Sequence, residues 1–398
     1  MSDALRELAA TLSGAGEALW EAGGERRARW LATAFAHIAR ADSELGREAV
    51  QVLAASSGLS EAMVRWALDT TLGPLTFETL SAIERMPEQP GAVRARPGRL
   101  CAVVLAGNVV TGAARAVGYP LLFGWPVLAK ASSGDDALAR LMEAALAESD
   151  PELADAYRVV TYASQLEALT AVLLQQADCV IAYGSDESVK TLRAQTGSTA
   201  SFVGHGHGLG VAFIGRDADH AEAARALALD VAAYDQRGCL SPHIAWVERG
   251  SAEFASRVQR ELAQLAVTLP RGRMPYELAG AQLTWRGVSA MRGELFEGDG
   301  YAVSFEDDGP IRVSPGFRNL QVLGLDDVSS LPAKLAPLGV HLKSLGVAGV
   351  RDLTALARTL PAGVAPRVCA LGQMQTPPPD ALHDALPPWE GLLRWIGV

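Results

Sequence analysis

The sequence predicts an α/β protein with a doubly wound parallel sheet, a smaller second α/β region and an N-terminal group of helices. The chain has 398 residues, 49% of them hydrophobic, so it can bury a large core. Residues 4–85 repeat apolar positions at three- and four-residue spacing, which indicates several helices. After a turn-rich connector at 86–99, short apolar runs alternate with helix-length segments, which is typical of parallel strands joined by right-handed crossovers.

The predicted strands form two groups around a glycine-dense string at 204–210, which favours a bend between two lobes. The first group comprises the runs at 100–105, 126–129, 157–161, 179–183 and 209–214. The second group comprises strands at 243–248, 311–314 and 319–325, with helical segments at 251–266 and 328–338. Ligands bind outside the carboxyl ends of parallel strands and in clefts between lobes, so we expect the functional site there.

Charge and hydropathy exclude several classes of function. The net charge is −10 with both signs interspersed, so no basic stripe is available for a nucleic-acid backbone. The longest apolar region, 100–130, is interrupted by Asn108, Arg115, Pro120 and Pro126, which argues against a membrane span. The polar N-terminus lacks the pattern of a secretory signal. We therefore expect a cytoplasmic protein without nucleic-acid partners.

Cys239 is the first candidate for chemistry. It lies in the string YDQRGCLSP, 234–242, between a predicted helix at 217–233 and the strand at 243–248, and such junction loops often carry catalytic residues. Cysteine reacts as the thiolate, and a nearby helix N-terminus or cation lowers the thiol pKa. A buried turn cysteine without a function explains the same letters. The remaining cysteines form no CxxC pair, so we predict neither a zinc site nor disulfides; they are Cys101, Cys179 and Cys369.

A second candidate segment spans 106–136. A strand ends at Leu105, a turn with Gly107 and Asn108 follows, and a helix then leads to a second strand. That strand delivers Lys130 directly into a small polar turn that contains Ser132 and Ser133. A lysine beside small hydroxyl residues suits a ribose or a phosphate, because the lysine supplies charge and the small side chains allow close approach. A lysine at a strand end can also simply be solvated.

Together, these two segments resemble the aldehyde dehydrogenase superfamily over roughly residues 95–398. Asn108, Lys130 and Cys239 follow one another at intervals of 22 and 109 residues, in the order and approximate spacing of that superfamily. The string DQRGCLSP is similar to the acyl-CoA reductase branch, which is typified by the fatty acyl reductase of bacterial bioluminescence. The C-terminal string APRVCALGQMQTPPP also resembles the tail of that branch.

The resemblance implies a role for each matched residue. Cys239 would be the nucleophile, Asn108 would help to hold the substrate oxyanion, and Lys130 would contact the adenosine ribose of a nicotinamide cofactor. The implied domains are N-terminal helices with an NAD(P)-binding domain at 1–207, a cysteine-bearing catalytic domain at 208–362, and a tail at 363–398 that packs back on the first domain. It also implies a homodimer.

Two departures from the parent superfamily bear on the reaction. Hydrolytic members carry a glutamate in an ELGGK string, whereas the matching region here, FVGHGHGLG at 202–210, has no carboxylate. Without that base, water attacks an acyl-enzyme slowly, which favours reduction to an aldehyde. The third residue after Lys130 is acidic in many NAD-preferring members and is Ser133 here, so we expect NADPH with NADH possible, although Asp135 and Asp136 follow closely.

Gly184 and Ser185 begin the string GSDESVK after the predicted strand at 179–183. They resemble the Gly-Ser turn of the superfamily, where backbone N–H groups and the helix dipole meet a pyrophosphate. An ordinary helix start capped by Ser185 explains the same letters. His205 and His207 form an HxH pair without a third ligand at suitable spacing, so we predict no metal and a backbone hinge instead.

Arg318 and Lys343 match family positions near the cleft, although ordinary solvated charges explain them equally well. The predicted reaction is therefore the NADPH-dependent reduction of an acyl thioester, acyl-CoA or carrier-bound, to an aldehyde through an acyl-enzyme on Cys239. Reduction of an acyl phosphate and NADP-linked oxidation of an aldehyde are the enzymatic alternatives. A catalytically silent acyl-binding partner in an assembly is the alternative of another class.

Overall fold

The computed structural model describes residues 1–107, 109–132, 134–163 and 165–398. Its N-terminal part is helical, as predicted, because the apolar stripes at helical spacing pack against one another: Leu31, Ala34 and Ile38 are fully buried. The helices are α1 (Ser2–Glu21), α2 (Gly23–Ala39), α3 (Glu44–Ser57), α4 (Glu61–Thr71) and α5 (Phe77–Arg85).

A five-stranded, fully parallel sheet follows, and it confirms the predicted doubly wound α/β architecture. After the short strand β1 (Ala92–Arg94), its elements are β2 (Cys101–Val104), α6 (Gly112–Leu122), β3 (Val127–Ala131), α7 (Ala137–Ser149), β4 (Tyr157–Thr161), α8 (Glu167–Gln176), β5 (Cys179–Tyr183), α9 (Asp186–Gln195) and β6 (Ser201–His205). The strand order is β4-β3-β2-β5-β6. The order therefore reverses at β2, and the crevice between the carboxyl ends of β2 and β5 is the ligand position of such sheets.

The second sheet has seven strands in the order β13-β12-β7-β8-β11-β10-β9, and only β9 runs antiparallel to its neighbour. Its elements are β7 (Leu209–Ile214), α10 (His220–Ala232), β8 (Pro242–Val247), α11 (Ser251–Thr268), α12 (Ala279–Arg292), β9 (Glu294–Gly298), β10 (Tyr301–Glu306), β11 (Asn319–Gly324), α13 (Leu331–Leu335), β12 (Leu342–Ala348), α14 (Leu353–Arg358) and β13 (Arg367–Ala370). The strand predicted at 311–314 is wrong, because residues 311–314 are irregular. The strand that precedes β11 in the chain and pairs with it is β10.

The C-terminal segment returns to the first sheet after it has contributed β13 to the second. The indole N–H of Trp125 donates to the Leu392 carbonyl at 2.8 Å, and the Tyr119 hydroxyl donates to the Pro379 carbonyl. The final strand, β14 (Trp395–Gly397), pairs antiparallel with β1. Within the ranges that the structure describes, no helix is both long and apolar enough to cross a membrane.

The loop between α10 and β8 has an uncommon backbone. Tyr234, Asp235 and Gln236 all have positive φ angles, of 53°, 51° and 60°, which non-glycine residues adopt only when their surroundings impose it. The Asp235 carboxylate is almost fully buried and accepts from the Arg318 guanidinium at 2.9 Å and from the Gly272 N–H at 2.9 Å. These contacts hold the chain in the left-handed region directly before Cys239.

Three further hydrogen bonds anchor this loop. The Gln236 side chain accepts from the Asn319 N–H at 2.8 Å and donates to the Pro242 carbonyl at 2.7 Å. On the other side, the Gly210 N–H donates to the Ser241 carbonyl at 2.8 Å. A Cβ atom on Gly210 would lie 2.3 Å from the Leu240 carbonyl oxygen, so only glycine permits this approach.

Loss of the buried charge pair should destabilise the protein strongly. We expect Asp235→Asn to lower the free energy of unfolding by about 3–5 kcal/mol, because it leaves the Arg318 guanidinium buried without a counter-charge. Chemical denaturation followed by circular dichroism measures this change. The double variant Asp235→Asn with Arg318→Met should recover part of the loss, and a change below about 1 kcal/mol in the single variant would contradict the role given to the pair.

The close approach at Gly210 generates a second expectation. Gly210→Ala should lower the free energy of unfolding by about 1–3 kcal/mol, because the new methyl group displaces the Leu240 backbone. Gly14→Ala is the matched control: this glycine lies inside α1 with open space where its Cβ would be, so the same change should stabilise the protein by about 0.5–1 kcal/mol. Equal effects of the two substitutions would contradict the role given to the close approach at Gly210.

Candidate active site

A cavity of about 530 Å³ lies where the carboxyl edges of the two sheets meet. Cys239 reaches it from the anchored loop and is half-buried, whereas the other three cysteines are buried. The cavity has a volume typical of small-molecule sites. Many of its walls are apolar, and they include Leu105, Val109, Ala116, Ile181, Val203 and Leu240.

The surroundings of Cys239 keep its sulfur protonated at neutral pH. Burial and the nearby Asp384 carboxylate raise the pKa of the Cys239 thiol to about 11, against the opposing positive charge of Lys343. The expectation that a helix N-terminus or cation produces a thiolate is therefore wrong for this structure. The lysine is close, but desolvation outweighs its effect. Reaction of this thiol requires a base that removes its proton.

Asp384 connects three elements around the cavity. Its carboxylate accepts from Nδ1 of His205, at the end of β6, at 2.8 Å, and forms an ion pair with the Lys343 ammonium of β12 at 2.8 Å. Burial alone would raise the pKa of Asp384, but the hydrogen bond from His205, the charge of His383 and the Lys343 ammonium outweigh it and hold that pKa well below its usual range. Asp384 is thus a carboxylate at neutral pH, with both oxygens engaged. Lys343 is therefore not a solvated surface charge, and neither is Arg318.

Three rings pack beside this carboxylate. His205 stacks on His383 with ring centroids 4.2 Å apart and on Tyr183 with centroids 4.5 Å apart. Tyr183 and His205 are register partners on β5 and β6. Burial, and then the neighbouring His205, lowers the pKa of His383 to about 4, so this imidazole is neutral at pH 7.

The histidines predicted as a hinge pair have different environments. His205 points into the cavity wall and bonds Asp384, whereas His207 is exposed. His205, His383 and Asp384 each place one potential ligand atom within 4.8 Å of the others. The Lys343 ammonium would repel a cation at that carboxylate, so we interpret the cluster as hydrogen-bonded and ion-paired groups.

The predicted cofactor residues after β2 and β3 lie side by side. Lys130 pairs with Val104 across the two strands, and a Cβ atom on Gly107 would lie 2.7 Å from the Ser132 hydroxyl. Lys130 is 7% exposed, its ammonium lies 5.5 Å from the Tyr162 ring centroid, and burial lowers its pKa. Within the described ranges, no carboxylate forms an ion pair with it. Two predicted site residues, Asn108 and Ser133, lie outside the described residues.

Gly184 and Ser185 lie at the end of β5 and line the cavity that Cys239 reaches, whereas Gly107, Lys130 and Ser132 are not among its lining residues. The Ser185 hydroxyl accepts from the Ser188 N–H at 3.2 Å, so this serine caps α9 as the simpler interpretation required. A buried ammonium without an ion pair at the end of β3, next to two small turns at the switch point of the sheet, fits the negative, hydroxyl-rich part of a dinucleotide. Lys130, Gly107 and Ser132 are thus the described residues best placed to hold one.

Sequence reasoning missed Asp384, His383 and Tyr183. The first two come from the C-terminal segment, more than 140 residues after Cys239, and enter the site only because that segment packs back over β5 and β6. One local signal was present: Asp384 and Ala385 have positive φ angles of 54° and 62°, in a tight turn closed by mutual hydrogen bonds between His383 and Leu386. The dipeptide Asp-Ala does not predict such a turn.

Comparison of the sequence with known proteins shows the family of the chain. Residues 39–395 match the model of the acyl-CoA reductase (LuxC) family. The long-chain acyl-protein thioester reductase of Aliivibrio fischeri is 24% identical over 221 residues, which are 54% of this chain and 46% of that protein. A second such reductase, from Photobacterium leiognathi, is 24% identical over 255 residues, 62% of this chain and 53% of that protein. The chain thus spans about half the length of these relatives.

Solved structures of aldehyde dehydrogenases share the fold. An indole-3-acetaldehyde dehydrogenase of P. syringae, in complex with NAD+, superposes with a TM-score of 0.80 at 16% identity, covering 100% of this chain and 89% of that one. An NADP-dependent glyceraldehyde-3-phosphate dehydrogenase of Bacillus halodurans, complexed with NADP, gives 0.78 at 13% identity, with 100% and 90% covered. The chain therefore has the fold of the aldehyde dehydrogenase oxidoreductases and belongs to the acyl-CoA reductase (LuxC) family.

Proposed function

We propose that the protein reduces an acyl thioester to an aldehyde, with NADPH as reductant and a covalent acyl-enzyme on Cys239. The observation that carries this proposal is the position of the Cys239 sulfur. It lies in an apolar-walled cavity that also contains the carboxyl ends of β2 and β5, the edge where a dinucleotide binds in this class of sheet. A nucleophile, an apolar acyl site and a cofactor edge thus share one enclosure.

In the first half-reaction, the Cys239 sulfur attacks the thioester carbonyl carbon and loses its proton. The carbonyl electron pair moves to oxygen, and we propose that the Asn108 amide and the Cys239 N–H stabilise this oxyanion. When the C–S bond to the donor breaks, its electron pair leaves with the donor thiol, which takes up a proton. The products are a free thiol and a thioester of Cys239.

The second half-reaction needs a hydride donor. When bound, NADPH would supply a hydride, so that reduction of the Cys239 thioester, with one proton from solvent, would give the aldehyde, the free cysteine and NADP+. The chain's part is to bind and orient this reductant, for which we propose Gly107, Lys130, Ser132, Ser133, Gly184 and Ser185. We propose NADPH rather than NADH because the side chain of Ser133 is small and neutral.

Reduction is favoured over oxidation to a free acid because the segment that carries the water-activating glutamate in hydrolytic aldehyde dehydrogenases has no carboxylate in this chain. The linker between β6 and β7, residues 206–208, carries no carboxylate. Asp384 lines the cavity, but its two oxygens are engaged by His205 and Lys343. A carboxylate held in this way is a weak base, so the acyl-enzyme should survive until hydride arrives.

Intact-mass spectrometry tests the covalent step. Protein mixed with a panel of acyl-CoA and acyl carrier protein thioesters, without NADPH, should gain one acyl mass, and Cys239→Ser should gain none. Cys369→Ser is the control, because Cys369 is buried in β13 away from the cavity. Addition of NADPH should discharge the adduct as aldehyde.

Other outcomes identify the alternatives. No adduct with any thioester would refute the proposal, and adduct formation from an acyl phosphate alone would indicate an acyl-phosphate reductase. Discharge of the adduct to free acid without NADPH would indicate aldehyde oxidation as the natural direction. An adduct that NADPH and NADH both leave intact would indicate an acyl-binding partner.

Lys130 gives a separate test of the cofactor site. Lys130→Gln removes the buried positive charge with little change in length, so we expect NADPH to bind at least about tenfold more weakly, the loss of one charge-assisted contact. Titration calorimetry with NADPH and with NADH measures both dissociation constants. Lys190→Gln, an exposed lysine of α9, is the control. Unchanged binding of both cofactors in Lys130→Gln would contradict the assignment.

The choice between CoA and a carrier protein as acyl donor, the homodimer and the cytoplasmic location remain predictions. The two relatives are long-chain acyl-protein thioester reductases, which supports testing a carrier-bound acyl group first. The comparison of CoA and carrier thioesters in the mass experiment distinguishes the donors.

A further inference from the structure

The covalent chemistry proposed for Cys239 leaves one requirement open, which is the destination of its proton. The sulfur is protonated at neutral pH because burial and Asp384 disfavour its ionised form. Nucleophilic thiols in such surroundings need an adjacent base that a third group orients. Among the residues that the structure describes, the cavity wall contains one imidazole that a carboxylate orients.

We infer that His205, oriented by Asp384, is the proton-transfer group for Cys239: it accepts the thiol proton during attack and returns it to the departing donor thiol. Because this step belongs to the thioester chemistry, it rests on the function proposed above. Asp384 is a positioning residue in this scheme, since it acts through His205 and touches no reacting atom.

The hydrogen bond between His205 and Asp384 defines the state of the imidazole. A carboxylate at 2.8 Å from Nδ1 favours the tautomer with the proton on Nδ1, which leaves Nε2 as the proton acceptor. The ion pair with Lys343 keeps Asp384 charged, so the carboxylate orients and stabilises the imidazolium without taking the proton itself.

His205, Asp384, Tyr183 and Cys239 all line the same cavity. Tyr183 stacks on His205 with ring centroids 4.5 Å apart. Burial raises the pKa of Tyr183, and the charges of Asp384 and Cys239 add to this effect. The imidazole that Asp384 orients therefore belongs to the wall of the cavity that Cys239 reaches.

The other groups around the imidazole are less suited to the role. His383 stacks on His205 but forms no hydrogen bond or ion pair through its ring within the described ranges, and its low pKa makes it a poor base. Lys343 is engaged by Asp384, and Arg115, whose charge also acts on His383, cannot accept a proton. Tyr183 remains protonated at neutral pH because its pKa is raised.

The backbone at Asp384 supports a functional role independently. Asp384 and Ala385 both occupy the left-handed region in a two-residue turn, a conformation that is unfavourable for non-glycine residues, although less so for aspartate. Such a conformation persists where the surroundings require it. Here it directs the carboxylate between His205 and Lys343.

Protons and electrons balance without a further reactant. As the sulfur attacks the carbonyl carbon, the S–H electron pair forms the new C–S bond and the proton passes to Nε2. When the donor C–S bond breaks, its pair remains on the donor sulfur, which receives the proton from Nε2. His205 ends this half-reaction in the protonation state in which it began.

The experiment measures the rate of Cys239 acylation in a single turnover without NADPH, by quenched-flow mass spectrometry from pH 6.5 to 10.5. His205→Gln should slow acylation at pH 7 by about 10²–10⁴-fold, the contribution of a positioned general base. Its rate should rise as the pH approaches 11, because hydroxide then ionises the thiol directly. Asp384→Asn, which keeps the turn because asparagine tolerates the left-handed region, should slow acylation at least about tenfold.

His341→Gln is the matched control. His341 also faces an aspartate, Asp186 at 3.8 Å, but this pair is on the surface and outside the cavity, so the acylation rate should be unchanged. An acylation rate in His205→Gln equal to that of the wild type at pH 7 would overturn the inference. So would a loss that persists unchanged to pH 10.5, since a merely structural defect does not respond to hydroxide.

Failure of the proposed function is recognised separately. If the wild-type protein forms no adduct with any thioester, the function fails before the role of His205 is measured. If the wild type acylates normally and His205→Gln does too, the function stands and the inference falls. Acylation that is lost on dialysis against a chelator and restored by Zn²⁺ would also overturn it, because the cluster would then bind a metal.

Discussion

The site depends on a backbone conformation that a buried charge pair imposes. Three consecutive residues in the left-handed region precede Cys239, and the Asp235–Arg318 ion pair holds them there. The Gln236 side chain adds hydrogen bonds with backbone groups of Asn319 and Pro242. Taking both charges out of water is unfavourable unless every lone pair and proton finds a partner, and here the carboxylate also accepts the Gly272 N–H. This constraint turns the chain after α10 so that the sulfur reaches the cavity at the edges of both sheets.

The second determinant is the return of the C-terminal segment. After β13 the chain leaves the second sheet, packs over β5 and β6 and ends as β14 against β1. In doing so it adds His383 and Asp384 to a wall whose other members come from β5, β6 and β12. The same burial that encloses an apolar acyl group also raises the thiol pKa, so an enclosed site of this kind needs its own proton acceptor.

Particular residues show where sequence reasoning succeeded and where it failed. The parallel strands of the first sheet were predicted because continuous apolar runs such as CVIAY are typical of buried strands. The strand at 311–314 was wrong, since IRVS has strand-forming letters but no neighbour to pair with, and β6 was missed because SFVGH is short and mixed. For Arg318 and Lys343, an ordinary solvated charge was one of the explanations, and the structure shows that neither is solvated. Their carboxylate partners lie 83 and 41 residues away in sequence, so no local pattern predicted these ion pairs. The hinge predicted for His205 did not anticipate its bond to Asp384.

The sequence by itself determined the alternation of strands and helices, the two-lobed organisation and the family, because hydrophobic periodicity and short motifs are local properties. It also predicted Cys239, Lys130 and their neighbouring turns as the places for chemistry. Only the tertiary structure decided the protonation of the thiol and the pairing of His205 with Asp384. Burial and charge pairing depend on which distant segments meet, and no local pattern records that.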